Sequence, residues 1–200
     1  MKNDIVKHYD LLIEENNDPV RDPEPLKRYM DKWDGQIFID KMQLNEDKAV
    51  LEIGVGTGRL AVRVAPLCAQ FYGIDISTKT IKRAKENLVN AENVTLICGD
   101  FLTHEFSERF DVIYSSLTFM HIEDKQKAVN KAAALLKNGG RFVLSIDKNQ
   151  REFIDIGISQ VKIFPDSVAI ITECIKNADL SVLNQFDTEF ATIFVARKNG

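Results

Sequence analysis

The chain has 200 residues, the size of one ordinary domain that can bury a single large core. Its 26 basic and 30 acidic residues leave a formal charge of -4, so no overall field draws it to nucleic acid or to an anionic membrane. The polar N-terminus lacks the apolar stretch of a signal peptide, and no apolar run approaches ~18 residues. Cys68, Cys98 and Cys174 stand apart, with no C-x-x-C pair and no histidine at metal spacing. Reduced, buried thiols in a cytoplasmic protein without a metal are expected.

From the start, Ile5, Val6, Tyr9, Leu12 and Ile13 recur at helical spacing between Lys2 and Glu15, one apolar stripe on a polar helix. Asn16-Asn17-Asp18-Pro19 breaks that helix, and Asp22-Pro23-Glu24-Pro25 is a rigid turn. A second short helix carries Leu26, Tyr29, Met30 and Trp33 on one face, with Gly35 as its stop. Ile37, Phe38 and Met42 predict a further helical turn. This front third has no core of its own and is expected to pack on the rest.

Ala49 to Ile53 is a short apolar run that reads as a strand buried on both faces. Gly54, Gly56 and Gly58 carry it into a helix from about Arg59, with Leu60, Ala61, Val64, Ala65 and Cys68 on the buried face and Pro66 shortening the last turn. Phe71 to Ile76 is a second strand, and Ser77 caps a helix bearing Ile81, Ala84 and Leu88. Val94 to Phe101 and Phe110 to Ser116 are the next strands. A helix from Glu123 to Lys137 stops at Gly139-Gly140 and leads into the fifth. Phe153 to Ile156 and Gln160 to Phe164 alternate, as an extended passage or a hairpin over one end of the sheet. Asp166 is placed to cap a helix with Val168, Ile171, Ile175 and Ala178, and Leu180–Phe186 with Ala191–Ala196 form a closing hairpin. Strands alternating with helices make a three-layer α/β domain.

A strand that ends in glycines and turns into a helix brings bare backbone and helix N–H groups up to a ligand. A dinucleotide site wants glycine at the first, third and sixth positions, and here these are Gly54, Gly56 and Arg59. The pattern Glu52-x-Gly54-x-Gly56-x-Gly58 instead resembles the first motif of the class I S-adenosylmethionine-dependent methyltransferases. Asp75 at the end of the second strand, Gly99-Asp100 after the third, Phe110 to Ser116 as the fourth, and Leu135 to Leu144 with its Gly-Gly follow in the order that family uses. The resemblance is strong from about Val50 to Ile146 and loose at the ends, and it is to small stand-alone bacterial-type members of unassigned substrate.

That resemblance implies a Rossmann-like sheet of seven strands, order 3-2-1-4-5-7-6 with strand 7 antiparallel, within one domain. Residues 1–45 would be a helical cover or lid, and residues 46–200 the core. It implies S-adenosyl-L-methionine as cofactor: Glu52, Ile53 and the Gly54, Gly56 and Gly58 turn at the methionine portion, Asp75 on the ribose hydroxyls, Ile76 against adenine. Asp100 would accept the adenine amino group beside Phe101, and Ser115 would line the methyl end. His121 is the acid–base candidate, or else only pins its loop. Tyr9, Tyr29 and Trp33 are pocket aromatics or simple docking residues. The Asn/Asp-Pro-Pro-Tyr/Phe motif of amino-directed enzymes is absent after the fourth strand, as is a cysteine for base C5-methylation. Methyl transfer to O or N of a small molecule is expected, by a monomer or homodimer. RNA or protein methylation, a catalytically silent cofactor-binding module and a nucleotide-dependent oxidoreductase are the alternatives.

Overall fold

The computed structural model describes residues 2–157 and 159–200. The central sheet contains β1 (Ala49–Ile53), β2 (Gln70–Asp75), β3 (Val94–Cys98), β4 (Phe110–Ser116) and β5 (Leu136–Asp147). A two-stranded antiparallel hairpin, β6 (Phe153–Asp155) and β7 (Gln160–Lys162), stands apart from it, and β8 (Leu180–Asp187) and β9 (Ala191–Lys198) complete it. The order is β3-β2-β1-β4-β5-β9-β8, with β9 antiparallel to both neighbours and the other pairings parallel. This is the Rossmann-like arrangement that the resemblance implies, β9 being the seventh strand of the expected order.

Strand alternation sends side chains to two different layers. Val50, Val112, Tyr114, Val143 and Val195 meet α3 (Gly35–Met42), α4 (Ala61–Val64) and α5 (Thr78–Asn87) through Phe38, Met42, Leu60, Val64 and Ile81. Leu51, Ile53, Ile113, Phe142 and Leu144 meet α6 (Lys125–Leu135) and α7 (Val168–Asn177) through Val129, Ala132, Ile171 and Ile175. Of the front third, α3 belongs to this core, whereas α1 (Lys2–Glu14) lies across α5 and β7, and α2 (Glu24–Met30) buries no residue. No helix among the described residues is long and apolar enough to cross a membrane.

The structure corrects several local expectations. Gly35 does not stop the second helix, which ends at Met30; it opens α3 at φ +68°, with its N–H donated to the buried Asp34 carboxylate at 2.5 Å. The helix expected from Arg59 to Cys68 is only α4 and a 3-10 turn, Ala65–Leu67, because Pro66 has no N–H to continue the ladder. Helix α6 begins at Lys125, with Asp124 accepting the Lys127 N–H at 2.9 Å, and Leu136 to Gly140 belong to β5. Cys98 is exposed, unlike Cys68 and Cys174.

Asp166 does not cap α7, since Ser167 holds that position. Its carboxylate lies 2.8 Å from the Lys125 ammonium, and both side chains are buried. Lys125 also donates to Phe119 O (2.5 Å) and Phe164 O (3.0 Å), tying the turn after β4 to the segment after β7. A buried charge demands a counter-charge before a helix demands a cap, which explains the difference. Lys125→Met should therefore cost about 3–5 kcal/mol by stranding the Asp166 charge. Chemical denaturation should show most of that recovered in Lys125→Met/Asp166→Leu, whereas equal losses in both variants would locate the stability elsewhere.

Candidate active site

A cavity of about 610 Å³ opens over the carboxyl ends of β1 to β4. Strand order reverses there: β2 and β3 lie to one side of β1 and β4 to the other, which leaves a crevice where the connecting helices diverge. The turn leaving β1 forms its floor. Gly54 sits at φ +77° under Thr118, whose Oγ1 would be 2.0 Å from an added Cβ, so only glycine fits. Gly56, at φ +56°, has nothing within 4 Å of where a Cβ would stand, and its bare backbone faces the open space. Gly58 is not part of the wall; its N–H donates to Val55 O at 3.0 Å and closes the turn.

Two acids flank this cradle. Asp75, ending β2, accepts the Gly56 N–H (3.1 Å) on one oxygen and the Ser77 N–H (2.9 Å) on the other, leaving lone pairs on both for a ligand. Asp100 follows β3, accepts the Leu102 N–H at 2.9 Å and pairs with Lys2 of α1. Ile53, Ile76 and Phe101 supply apolar wall between them.

Residues 51–144 match the family described as "Methyltransferase domain". The matched stretch, a little under half of the chain, is similar to that family. An uncharacterized methyltransferase of Anoxybacillus flavithermus is 35% identical over 123 residues, covering 60% of this chain and 57% of the relative. One of Bacillus cytotoxicus is 38% identical over 98 residues, covering 48% and 45%. The alignment thus spans about half the length of these relatives. Among solved structures, an S-adenosylmethionine-dependent methyltransferase of Clostridium acetobutylicum aligns over 99% of both chains at TM-score 0.71 and 18% identity. The N-methyltransferase NodS of Bradyrhizobium japonicum, in complex with S-adenosyl-L-homocysteine, aligns over 98% of this chain and 100% of its own at TM-score 0.73 and 15% identity. These likenesses are of fold.

Within the matched stretch, the third carboxyl of the wall is Glu52. It is buried and accepts the Tyr114 hydroxyl at 2.8 Å, its cross-strand neighbour on β4. Burial pushes its pKa up to about 8, against the Tyr114 hydrogen bond and the nearby Arg59 charge. Arg59, at the position where a dinucleotide site has glycine, is already engaged: its guanidinium forks onto Asp34, at 2.9 Å for one arm and closer for the other. Asp75 is likewise raised by burial, which its backbone donors only partly offset. Asp100 is lowered, because Lys2 and the Leu102 N–H outweigh its burial.

His121 lines the cavity from the 3-10 turn Phe119–His121, and its Nε2 lies 2.7 Å from the Tyr9 hydroxyl of α1. Its Nδ1 is buried without a hydrogen-bond partner among the described residues. Burial, with His8 and Lys125 adding to it, lowers the imidazole to about 4, so the ring is neutral at pH 7. The Tyr9 phenol is pushed up by burial and by the Asp75 charge and stays protonated.

Besides Gly58, three expected residues lie elsewhere. Ser115 points away from the cavity and donates to Ile53 O at 2.9 Å, because alternation along β4 puts Tyr114 and Ser116 on the other face; Ser116 is the one in the wall. Tyr29 and Trp33 pack at a tilt against Phe190, and Trp33 Nε1 donates to Asp147 at 3.0 Å; Met30, the last residue of α2, lines the cavity instead. Sequence reasoning missed Asp34, whose signal was an Asp-Gly step ahead of a helix. It also missed the Asp18 clasp, in which Asn87 Nδ2 (3.0 Å) and Arg83 (3.2 Å) hold a buried carboxylate beside Thr57, and that clasp carries no local signature.

The two shifted groups have opposite effects on stability. Between pH 6.5 and about 4 the unfolded chain takes up a proton that folded His121 refuses, so acidification destabilises, by roughly 3 kcal/mol over that window. Between pH 4.5 and about 8 folded Glu52 keeps a proton the unfolded chain has lost, so its contribution falls as pH rises. Glu52→Gln, which keeps an acceptor for Tyr114, should therefore melt higher than the parent at pH 8 and about equally at pH 4.5. A melting-temperature difference that does not change with pH would show that Glu52 is ionised when buried.

Proposed function

We propose that the domain binds S-adenosylmethionine in this cavity and transfers its methyl group to an oxygen or nitrogen atom of a small molecule. The observation that carries the reading is the Asp75 carboxylate, which braces the Gly56 backbone and still has a lone pair on each oxygen for vicinal ribose hydroxyls. The donor set fits the cofactor: a second acid, Asp100, one strand further out, suits an amino group, and Glu52 beside the glycine cradle, neutral while the cavity is empty, would ionise against the methionine ammonium. When bound, the sulfonium supplies a methyl carbon open to in-line attack, with neutral thioether as leaving group. The chain contributes position, exclusion of water and a place for a proton.

Helix α1 is the cover in this reading. It lines the cavity with Ile5, Tyr9, Leu12 and Ile13 and is tied down at the rim by Lys2 to Asp100, Ser77 to Asp10 (2.7 Å) and Lys79 to Glu14. His121, neutral at working pH, takes the acceptor's proton. The balanced formal charge and the mixed signs at the mouth favour a small molecule over RNA or an acidic surface.

Calorimetry should find S-adenosylhomocysteine bound and NAD not; NAD binding the more tightly would sink the reading. Asp75→Ala should weaken S-adenosylhomocysteine at least about tenfold through loss of charge-assisted hydrogen bonds, with a cooperative melt retained. Removal of residues 1–17 should leave a soluble, cooperatively melting protein with weaker cofactor binding and no methyl transfer. Loss of the thermal transition would instead make α1 part of the structural core.

A further inference from the structure

Once the cofactor's elements are set aside, the rest of the cavity wall has an uneven chemistry. Ile5 and Leu12 of α1, Leu117 and Met120 of the turn after β4, and Ile154 of β6 make it almost wholly apolar. All of these but Leu12 belong to one cluster: Ile5 and Met120 pack with Val161 and Ile163, and Tyr9, Leu117 and Ile154 close around them. The hairpin is locked to the turn by the Phe164 N–H, which donates to Met120 O at 2.7 Å.

Every charged group of the wall is already committed or stands at the mouth. Arg59 is held by Asp34, Lys2 pairs with Asp100, and Asp75 is braced by two backbone N–H groups. Glu123, Asp124 and Lys127 are exposed, and Asp124 caps α6. What remains for an acceptor is the Tyr9 hydroxyl beside His121 Nε2, with Nδ1 of the same ring buried and unpartnered among the described residues. With the phenol donating to Nε2 across that 2.7 Å contact, the pair offers a substrate hydroxyl the lone pairs of the Tyr9 oxygen, with Nε2 behind it to take a proton.

We infer that the methyl acceptor is a neutral, largely apolar molecule bearing a hydroxyl, seated between α1, the turn after β4 and the β6–β7 hairpin and anchored by Tyr9 and His121. The inference rests on the cofactor reading above and narrows it. An ammonium or a carboxylate would lose its hydration against this wall and find no free counter-charge, whereas a hydroxyl keeps a partner for its O–H at the Tyr9 oxygen. In the transfer, the hydroxyl oxygen bonds to the methyl carbon, the carbon–sulfur pair stays on sulfur, and the hydroxyl proton passes to the Tyr9 oxygen as the Tyr9 proton moves to His121 Nε2 and from there to water. The product is an ether more apolar than its precursor. The reaction that supplies the acceptor is therefore one that leaves a free hydroxyl on an apolar skeleton.

Matched probes on one ring system test this by binding. With the protein saturated in S-adenosylhomocysteine at pH 7, calorimetry should find naphthol bound at least about tenfold more tightly than naphthoate or naphthylmethylamine. Tyr9→Phe should weaken naphthol while leaving naphthalene, which has no hydroxyl, unchanged. Naphthoate or the amine binding as tightly as naphthol would overturn the inference, and so would a protein that binds S-adenosylhomocysteine but none of the probes. A Tyr9→Phe effect equal for naphthol and naphthalene would remove the hydroxyl anchor and overturn it as well. Failure to bind S-adenosylhomocysteine at all would instead bring down the cofactor reading beneath it.

Discussion

A carboxylate with no solvent access has to be paired, and Asp34 is that carboxylate. It takes the Arg59 guanidinium from the glycine turn, the Ser116 hydroxyl from the end of β4 at 2.7 Å, and the Gly35 N–H at the start of α3. Three pieces of chain far apart in sequence are thereby held at one point beneath the cavity. The pairing also spends the positive charge nearest Glu52. That acid is left with a phenol for its direct partner, which is why burial wins and its proton is held so tightly.

The front third of the chain divides by the kind of force that holds it. Helix α3 is fixed by Phe38, Ile39 and Met42, all buried in the core, and cannot leave without exposing them. Helix α1 buries Ile5 and His8 but is otherwise tied by ion pairs and hydrogen bonds at the rim, several of them exposed. Exposed pairs contribute about 0–1 kcal/mol each, so most of what holds α1 is the packing of Ile5 and Tyr9 on Met120, Val161 and Ile163. The Asp18 clasp at its C-terminal side is buried and ties the chain after α1 to α5. Placement of Tyr9 on this helix and His121 on the core means that the polar pair of the cavity exists only while α1 is seated.

Much of this was legible in local pattern. Periodicity and glycine spacing suffice for β1, its turn, the two acids that end β2 and follow β3, and the closing hairpin, because each depends on residues within a few positions of one another. The strand order came from resemblance, not from spacing. Ser115 shows the limit of resolution: the right strand end was evident, but the choice between Ser115 and Ser116 depends on which face β4 turns toward β1, and that is set by pairing with residues sixty positions away. Tyr29 and Trp33 show it again, since an apolar helix face says that a helix docks and not which residue meets the cavity.

By itself, then, the sequence determined where backbone must come bare to a ligand and where acids end strands, for these follow from the steric freedom of glycine and the chemistry of adjacent residues. Tertiary structure alone decided that Arg59 is spent on Asp34, that Asp166 answers Lys125 before any helix end, and that Tyr9 reaches His121. Buried charges and hydroxyls choose partners by proximity in space, where the cost of leaving one unpaired exceeds any local preference, and proximity across a folded sheet has no imprint on spacing along the chain.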